Sequence, residues 1–294
     1  MLSLRHSTVA GDRPPAAARG LIQRLRAIDG YRISRVVGES SAAVVYLADD
    51  RRRGGKVALK VPKVAQDDHD AAWQRFAFEC DVVSSIRHEH VVRVVEHRVE
   101  NGLGYLAMEY LRGGTLRERM RTPMSEAQAL RLLRQAAAGL AAVHRLAVVH
   151  RDVKPDNFLL RSPGVLALTD FGAAAPVASN ASCAARGHLT GTPWYVAPEQ
   201  AEGARPGTAA DVYSLGVVLH EMLCGRRPFP GQTAQEVLAQ HLVAPVPRMP
   251  EALAHCQPLI DRMLEKCPHR RLPDADAVLQ ELRRVESDAI AGVP

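Results

Sequence analysis

Short alternations of hydrophobic and polar positions run through the first third of the chain, and this pattern predicts β-strands. Three runs start at Tyr31, Ala43 and Lys56, and they read YRISRVVG, AVVYLADD and KVALKVPK. Two more, VVRVVEHRV and LGYLAMEYL, flank Asn101-Gly102, a dipeptide that favours a tight hairpin turn. The segment DDRRRGG before Lys56 is interpreted as a solvated hairpin loop rather than a basic binding patch.

Apolar residues at helical spacing predict several α-helices in the rest of the chain. A helix is predicted over residues 69–87, and the chain is mostly helical after Gly113-Gly114. Ser125 and Gln128 form a capping box that begins a helix. The apolar face of that helix is marked by Leu130, Leu133, Ala137, Leu140 and Val143. Further helices are predicted near 208–225, 233–242, 252–265 and 275–287. A β-rich front and a helix-rich back predict an α+β protein of two lobes with a cleft between them.

Composition narrows the class of protein. The 294 residues are 47% hydrophobic and 24% charged, which is the balance of a globular protein and excludes wholesale disorder. Five scattered cysteines without C-x-x-C spacing exclude a disulfide scaffold and favour a reducing compartment over a zinc site. No stretch approaches the roughly 20 apolar residues that span a bilayer, and no signal peptide is evident. We therefore expect a cytoplasmic protein without a membrane span.

Residues 1–29 are interpreted as an Ala/Arg-rich N-terminal extension that is flexible, with a helical tendency from Ala16 to Ile28. Residues 1–30 hold five arginines and two aspartates, so half of the net charge of +6 lies there. Aromatic residues are only 4% of the chain, whereas nucleic-acid binders interleave aromatics with clustered basic residues. No nucleic-acid partner is expected.

The candidate catalytic and ligand-binding residues lie in three segments of the chain. The run from His150 to Asn157, HRDVKPDN, holds two acids, two cations and an amide. Thirteen residues after it, Asp170 follows the apolar strand VLALT and begins Asp-Phe-Gly, which suits a metal ligand on a mobile loop. Lys60 closes the apolar strand VALK, where a lone lysine requires an anionic partner.

These strings, in this order and spacing, resemble the signature motifs of protein kinases: the β3 lysine motif, the catalytic loop, D-F-G and, at Ala197-Pro198-Glu199, A-P-E. Lys154 after Asp152, with Gly-Thr-Pro-Trp-Tyr at 191–195, places the resemblance in the Ser/Thr branch. The compact form is similar to the eukaryotic-like (Hanks-type) Ser/Thr kinases of bacteria. The resemblance covers about residues 31–287.

The resemblance implies a bilobal kinase domain over residues 30–290. Its small β-rich N-lobe would cover about 30–110, and its larger, mainly helical C-lobe about 111–290. The implied activity is transfer of the γ-phosphoryl group of ATP to Ser and Thr hydroxyls of protein substrates, with autophosphorylation. Asp152 would be the catalytic base and Lys154 would steady the γ-phosphate. Asn157 and Asp170 would hold Mg²⁺, with Mn²⁺ as an alternative.

The nucleotide site is implied by the same alignment. Lys60 would contact the α- and β-phosphates and pair with Glu79. Met108 would be the gatekeeper, with the Glu109 and Leu111 backbones facing the adenine edge. The full set of expected ATP-binding residues is Val37, Gly38, Ser40, Ala43, Val45, Ala58, Lys60, Met108, Glu109, Leu111 and Leu160, of which Val45, Ala58 and Leu160 would sandwich the ring.

The phosphate-covering loop departs from the family pattern. G-x-G-x-x-G-x-V aligns with GESSAAVV, so only Gly38 is kept, and Ser40 and Ala43 stand at the other two glycine positions. Because glycine lets the backbone approach phosphate closely and take positive φ, we expect a stiffer loop with altered nucleotide affinity and turnover.

Four residues have implied structural roles. Glu199 would pair with Arg271, Asp211 would accept backbone N–H groups of the catalytic loop, and Thr192 would contact Asp152 and Lys154. Arg151 precedes the catalytic aspartate, as in kinases whose activation loop is ordered by phosphorylation. The candidate activation-loop phosphosites are Ser179, Ser182 and Thr190.

Two other classes of protein are alternatives. A pseudokinase or nucleotide-binding module is favoured only by the altered glycine loop. A small-molecule phosphotransferase would generally lack Ala-Pro-Glu and the Gly-Thr-Pro-x-Tyr segment, which build the peptide-docking surface. We expect protein substrates and a cognate phosphatase, while the oligomeric state stays open. Because the sequence ends directly after the last predicted helix, regulatory input is expected from a partner protein, the N-terminal extension or a neighbouring gene product.

Overall fold

The structure is a computed structural model that describes residues 28, 30–63, 69–100, 103–178 and 193–291. Several predictions fall outside these residues: nearly all of the N-terminal extension, the Asn101-Gly102 turn, and the hydroxyl residues Ser179, Ser182, Thr190 and Thr192. The described residues form two compact units, one within 1–66 and 95–110 and the other within 67–94 and 111–294.

The first unit is a five-stranded sheet in the order β1-β2-β3-β5-β4. The strands β1 to β5 are Tyr31–Glu39, Ala43–Asp50, Lys56–Pro62, Val94–Glu100 and Leu103–Glu109. Alternate side chains of β2, β3 and β5 are buried in one apolar core because successive strand residues point to opposite faces. Ile28 was predicted to belong to the flexible extension, but it is buried in that core.

The second unit is mainly helical. The helices α1 to α8 are His69–Ser85, Leu116–Arg119, Glu126–His144, Pro198–Ala201, Thr208–Cys224, Ala234–Val243, Gln257–Met263 and Ala275–Ala291. The short strands β6 to β9 are Val148–Val149, Phe158–Ser162, Val165–Leu168 and Ala175–Pro176. Helix α5 is buried along most of its length and packs against α3 and α8. The predicted α+β class is confirmed.

The α3 prediction is confirmed in detail. Ser125 and Gln128 form the reciprocal capping box, and all five residues of the predicted apolar face are buried. The predicted helix over 252–265 is wrong as a single element. A 3₁₀ turn, Glu251–Cys256, precedes α7, and Pro258 lies in the first turn of α7, where its missing N–H is tolerated. Among the described helices, none combines the length and the apolarity that crossing a membrane would require.

Candidate functional site

The predicted nucleotide-binding residues of the first unit share one face of the sheet. Val45 is the cross-strand partner of Lys60, and Ala58 is the partner of Met108. Cross-strand partners point to the same side, so these four side chains lie opposite the face that packs into the core. Lys60 is nevertheless only 8% exposed, so its ammonium group is largely shielded from water.

The β1–β2 loop is closed by its own serine. The Ser40 hydroxyl oxygen accepts hydrogen bonds from the backbone N–H of Ala43 (3.1 Å) and of Ala42 (3.3 Å). The Ser40 N–H donates to the Ala43 carbonyl at 2.9 Å. A side chain at a family glycine position therefore occupies N–H groups that a glycine would leave open to phosphate.

Gly38, the retained glycine of this loop, is not required by the backbone conformation. It pairs with Val45 across β1 and β2, and its φ is not in the left-handed region. A Cβ atom at Gly38 would lie 3.7 Å from the Val45 Cβ, which is ordinary van der Waals contact. Any need for glycine here must come from ligand approach rather than from the loop itself.

In the second unit, the catalytic-loop backbone is held by Asp211 of α5. Its carboxylate accepts the N–H groups of His150 and Arg151, both at 2.8 Å, and contacts His144 Nε2 at 3.0 Å. Burial opposes ionisation of this carboxyl, but the hydrogen bond from His144 and the neighbouring His150 outweigh it and lower the pKa of Asp211. His144 is a partner that sequence reasoning missed, because nothing in its spacing marks it.

In the catalytic loop, two of the predicted site residues donate hydrogen bonds to the carboxylate of a third. Asp152 Oδ2 accepts from Lys154 Nζ at 2.6 Å and from Asn157 Nδ2 at 3.0 Å. Asn157 Nδ2 also donates to the Asp152 carbonyl at 2.7 Å. Burial raises the pKa of the Asp152 carboxyl; the Lys154 ammonium opposes this rise, and the Asp170 charge adds to it. The structure thus places an anion, a cation and an amide within one small cluster.

Asp170 follows β8 with a φ of 63°, and Arg151 has a φ of 67°. Non-glycine residues in this region carry backbone strain and concentrate at functional sites. The neighbours support the conformation: Phe171 is buried and its ring packs edge-on against His150 at 5.0 Å. The N–H of Thr169 donates to the Asn157 carbonyl at 2.9 Å, which ties the Asp170 segment to the catalytic loop.

Leu160, on β7, is clamped by a glycine pair. Gly113 N–H donates to the Leu160 carbonyl at 3.1 Å, and Leu160 N–H donates to the Gly114 carbonyl at 2.9 Å. A Cβ atom on Gly113 would lie 2.4 Å from the Leu160 carbonyl oxygen, so only glycine fits. From the sequence, Gly113-Gly114 was interpreted only as the start of the helical part, although two adjacent glycines can also indicate a close approach of the backbone.

Glu199 and Arg271 lie together as a bidentate pair. Arg271 Nη1 and Nη2 donate to the two Glu199 carboxylate oxygens at 2.8 and 3.0 Å. Three backbone carbonyls, of Ala209, Glu265 and Lys266, accept the other guanidinium hydrogens, and the Arg271 side chain is fully buried. The pair therefore ties the Ala197-Pro198-Glu199 segment to the chain before α8.

Glu79 is buried on α1, in the second unit, whereas Lys60 belongs to the first. Leu111 likewise belongs to the second unit, and Glu109, the last residue of β5, to the first. The Lys60–Glu79 pair and the adenine-binding roles of Glu109 and Leu111 stay predictions. So does the contact of Thr192 with Asp152 and Lys154.

Sequence comparison finds relatives over most of the chain. A family model described as the protein kinase domain matches residues 31–282. A serine/threonine-protein kinase of Corynebacterium efficiens, drp72, is 38% identical over 90% of this chain and 52% of its own length. PknA of Corynebacterium glutamicum is 37% identical over 84% of this chain and 54% of its own length. PknL of Mycobacterium tuberculosis is 33% identical over 95% of this chain and 70% of its own length. The chain thus spans about half the length of the first two relatives.

Proposed function

Because the chain belongs to the protein kinase family, we propose that it is an active serine/threonine kinase, transferring the γ-phosphoryl group of ATP to Ser and Thr hydroxyls of proteins. The observation that carries the proposal is the catalytic loop: Lys154 and Asn157 both donate to the Asp152 carboxylate, and the buried Asp211 accepts the N–H groups of His150 and Arg151 just before it. A module that only binds nucleotide has no need of this arrangement. The relatives, all named as kinases, give no support to the pseudokinase alternative.

In this proposal, Asp152 orients the acceptor hydroxyl and takes its proton. A carboxyl whose pKa is raised by burial is a stronger base than an exposed aspartate, which suits proton acceptance. Lys154, at 2.6 Å from Asp152, carries a fixed positive charge toward the place where negative charge develops on the transferred group. Phosphoryl transfer depends mainly on such positioning and charge neutralisation.

Members of this family use ATP with a divalent metal. We assign the metal to Asn157 and Asp170, because amide and carboxylate oxygens are the hard ligands that Mg²⁺ prefers, with Mn²⁺ as an alternative. The metal would neutralise phosphate charge. The hydrogen bonds from Asn157 Nδ2 to Asp152 fix the orientation of the amide, so that Oδ1 is its remaining ligand atom. Lys60, on β3, would bind the α- and β-phosphates and pair with Glu79.

The proposal also covers the location of the kinase, its protein partners and its autophosphorylation. The kinase would act in the cytoplasm on protein substrates, with a cognate phosphatase reversing the modification. It would autophosphorylate, with Ser179, Ser182 and Thr190 as candidate sites. Mass spectrometry of active protein tests the last point, and all three hydroxyls unmodified would refute it.

The decisive experiment is transfer of labelled γ-phosphate from ATP and Mg²⁺ to the protein itself and to a generic basic protein. Asp152→Asn and Asp170→Asn are the test variants. Asp276→Asn, an exposed ion-pair residue on α8, is the matched control. Label on serine or threonine in the wild type and the control, with a loss of about 10²-fold or more in both test variants, supports the proposal. No label in the wild type, with nucleotide-dependent thermal stabilisation, refutes it in favour of a binding module.

A further inference from the structure

A carboxylate, an imidazole and a thiol of the second unit meet at the start of α3. Glu126 is the first residue of α3, and His255 and Cys256 end the 3₁₀ turn before α7. One ligand atom from each of the three residues lies within 4.8 Å of the other two. The catalytic loop follows the other end of α3, roughly 27 Å along the helix axis, so this group is separate from the candidate catalytic site.

The backbone on both sides of the group is fixed by hydrogen bonds. The capping box determines where α3 begins, and Glu126 follows it directly. After the 3₁₀ turn, Gln257 Oε1 accepts the Met249 N–H at 2.7 Å, and Gln257 Nε2 donates to the Pro247 carbonyl at 3.4 Å. The two segments therefore present their side chains from supported positions, which is what a ligand site requires.

The group is open to water on one side and closed on the other. The side chains of His255 and Glu126 are 42% and 34% exposed, whereas Cys256 is fully buried. His255 Nε2 lies 2.7 Å from Glu126 Oε1. Burial, and then the Glu126 charge, raise the pKa of the Cys256 thiol to about 11. The thiol therefore carries a proton beside a carboxylate, and a bound cation would replace that proton.

Zinc is the metal whose chemistry matches this set of ligands. Zn²⁺ binds thiolate sulfur, imidazole nitrogen and carboxylate oxygen tetrahedrally at about 2.0–2.3 Å, which separates its ligand atoms by about 3.3–3.8 Å. Mg²⁺ and Ca²⁺ prefer oxygen ligands alone, and Cu(I) prefers sulfur. The present separations need adjustments of about 1 Å to reach zinc geometry, and the two exposed side chains can rotate by that amount.

We propose that Glu126, His255 and Cys256 bind a zinc ion, with water as the fourth ligand. On binding, the Cys256 thiol releases its proton to solvent, and no group is oxidised or reduced. The ion would link the start of α3 to the turn before α7. Because α3 also carries His144, which contacts Asp211, zinc would stabilise a helix that supports the catalytic loop. The inference does not depend on phosphoryl transfer.

The spacing of the cysteines along the sequence gave no sign of this site. Zinc sites built from cysteine pairs show C-x-x-C spacing. This group uses one cysteine, and its carboxylate comes from a residue 129 positions before the histidine. Only the fold brings the three ligands together.

The test is zinc binding by the reduced 294-residue chain in excess Mg²⁺, which occupies sites made of oxygen ligands. Affinity is measured by competition with a chromophoric chelator. Co²⁺ is the second probe, because cobalt bound to a thiolate gives a charge-transfer absorption band. We expect one Zn²⁺ per chain and a rise in Tm of about 5 °C when free zinc is about a hundredfold above its Kd. Neither readout requires ATP.

Two variants assign the ligands. His255→Ala changes an exposed side chain, so the protein should fold, and zinc binding should weaken by about 100-fold or more, as for loss of a direct ligand. Cys256→Ser should abolish the cobalt–thiolate band. Cys267→Ser is the matched control, because Cys267 is an exposed cysteine of the same unit, and it should change neither the affinity nor the band.

Three results would overturn the inference. The first is the absence of stoichiometric zinc binding. The second is a cobalt band that survives Cys256→Ser and disappears in Cys267→Ser, which would mean an adventitious ion only, at a surface thiol. The third is binding that His255→Ala leaves unchanged and Cys224→Ser abolishes, since sulfur atoms without the imidazole would then hold the metal.

Discussion

The β1–β2 loop of the first unit and the catalytic loop of the second are stabilised over very different distances along the chain. In the first loop, Ser40 bonds to Ala42 and Ala43, its immediate neighbours. In the second, His150 and Arg151 bond to Asp211, about sixty residues later in the sequence. The first loop has lost two of the three family glycines, and the second retains every chemical group of the motif.

This difference indicates which of the two loops can accept a substitution without loss of stability. A loop that satisfies its own backbone can accept a new side chain at little cost to the fold, because no distant partner is left unpaired. A loop held by a buried carboxylate depends on that distant partner, since loss of the carboxylate leaves two buried backbone N–H groups unpaired. The departures from the family pattern therefore lie in the locally held loop, and four predictions measure how sharp the contrast is.

The largest effect is expected for Asp211→Asn. The amide nitrogen replaces one of the two carboxylate oxygens and cannot accept the backbone N–H bond that this oxygen accepts, so a buried N–H group loses its partner. We expect a loss of about 3–5 kcal/mol in the free energy of unfolding, measured by urea denaturation, together with a fall in kcat. Asp276→Asn is the control. A loss no larger than that of the control would show that the catalytic loop does not depend on α5.

Acid should destabilise the second unit through His241, which is fully buried against Tyr213 and Phe229. Burial lowers the pKa of His241 to about 4, whereas the unfolded chain has the ordinary value of 6.5. The unfolded state therefore binds more protons between these values. Stability is complete above about pH 6.5 and falls as the pH drops toward 4, by about 2 kcal/mol at pH 5.

Urea denaturation from pH 7 to 5 measures this loss, and His241→Gln is the comparison. Glutamine does not titrate, so the variant should be less stable than the wild type at pH 7 but should lose less on acidification. Parallel pH profiles for the two proteins would contradict the assignment to His241.

A smaller effect, in the opposite direction, is expected for Ser40→Gly. Removal of the hydroxyl frees the N–H groups of Ala42 and Ala43, so they can bind phosphate. We expect the Kd for ATP with Mg²⁺ to fall by about threefold, with little change in Tm, because a neutral hydrogen bond contributes only modestly and glycine adds flexibility. Ser41→Gly, at an exposed neighbouring position, controls for flexibility alone. Equal or weaker ATP binding by Ser40→Gly would refute the competition.

The smallest effect is expected for Asp49→Asn. This β2 residue is ion-paired with Lys56 at 2.8 Å and with Arg32 at 3.2 Å at the surface of the sheet. Exposed pairs of this kind contribute little because water screens them. The unfolding midpoint should be unchanged within error. A clear decrease would show that the first unit, too, depends on specific charges.

Sequence patterns predicted what repeats along the chain or belongs to a motif. The alternation in β2 and β3 predicted both strands, and the capping box at Ser125 located the start of α3. The division before α7 was missed because the apolar periodicity continues through Pro258. Periodicity reports which face is buried, not whether the backbone pairs as a 3₁₀ or an α turn.

Contacts between distant segments were predicted where both partners belong to a family motif, as for Glu199 with Arg271, and were missed where one partner lies outside the motifs. Arg117 donates to Glu221 and to the Tyr195 hydroxyl, and nothing in its spacing along the chain pointed to either partner. His144 beside Asp211 is a similar case, since its role depends on how two helices meet. Ser40 was recognised as a substitution, but the direction of its hydroxyl decides the effect, and only the loop geometry supplies it.

The self-closed loop at Ser40 has a consequence for inhibitor design. Compounds that mimic adenine and carry no phosphate do not need the N–H groups that Ser40 occupies, whereas ATP does. Under the proposed function, such compounds would compete against ATP that has two fewer N–H donors for its phosphates, so at a given cellular ATP concentration their potency should lie closer to their intrinsic affinity than in kinases with three loop glycines.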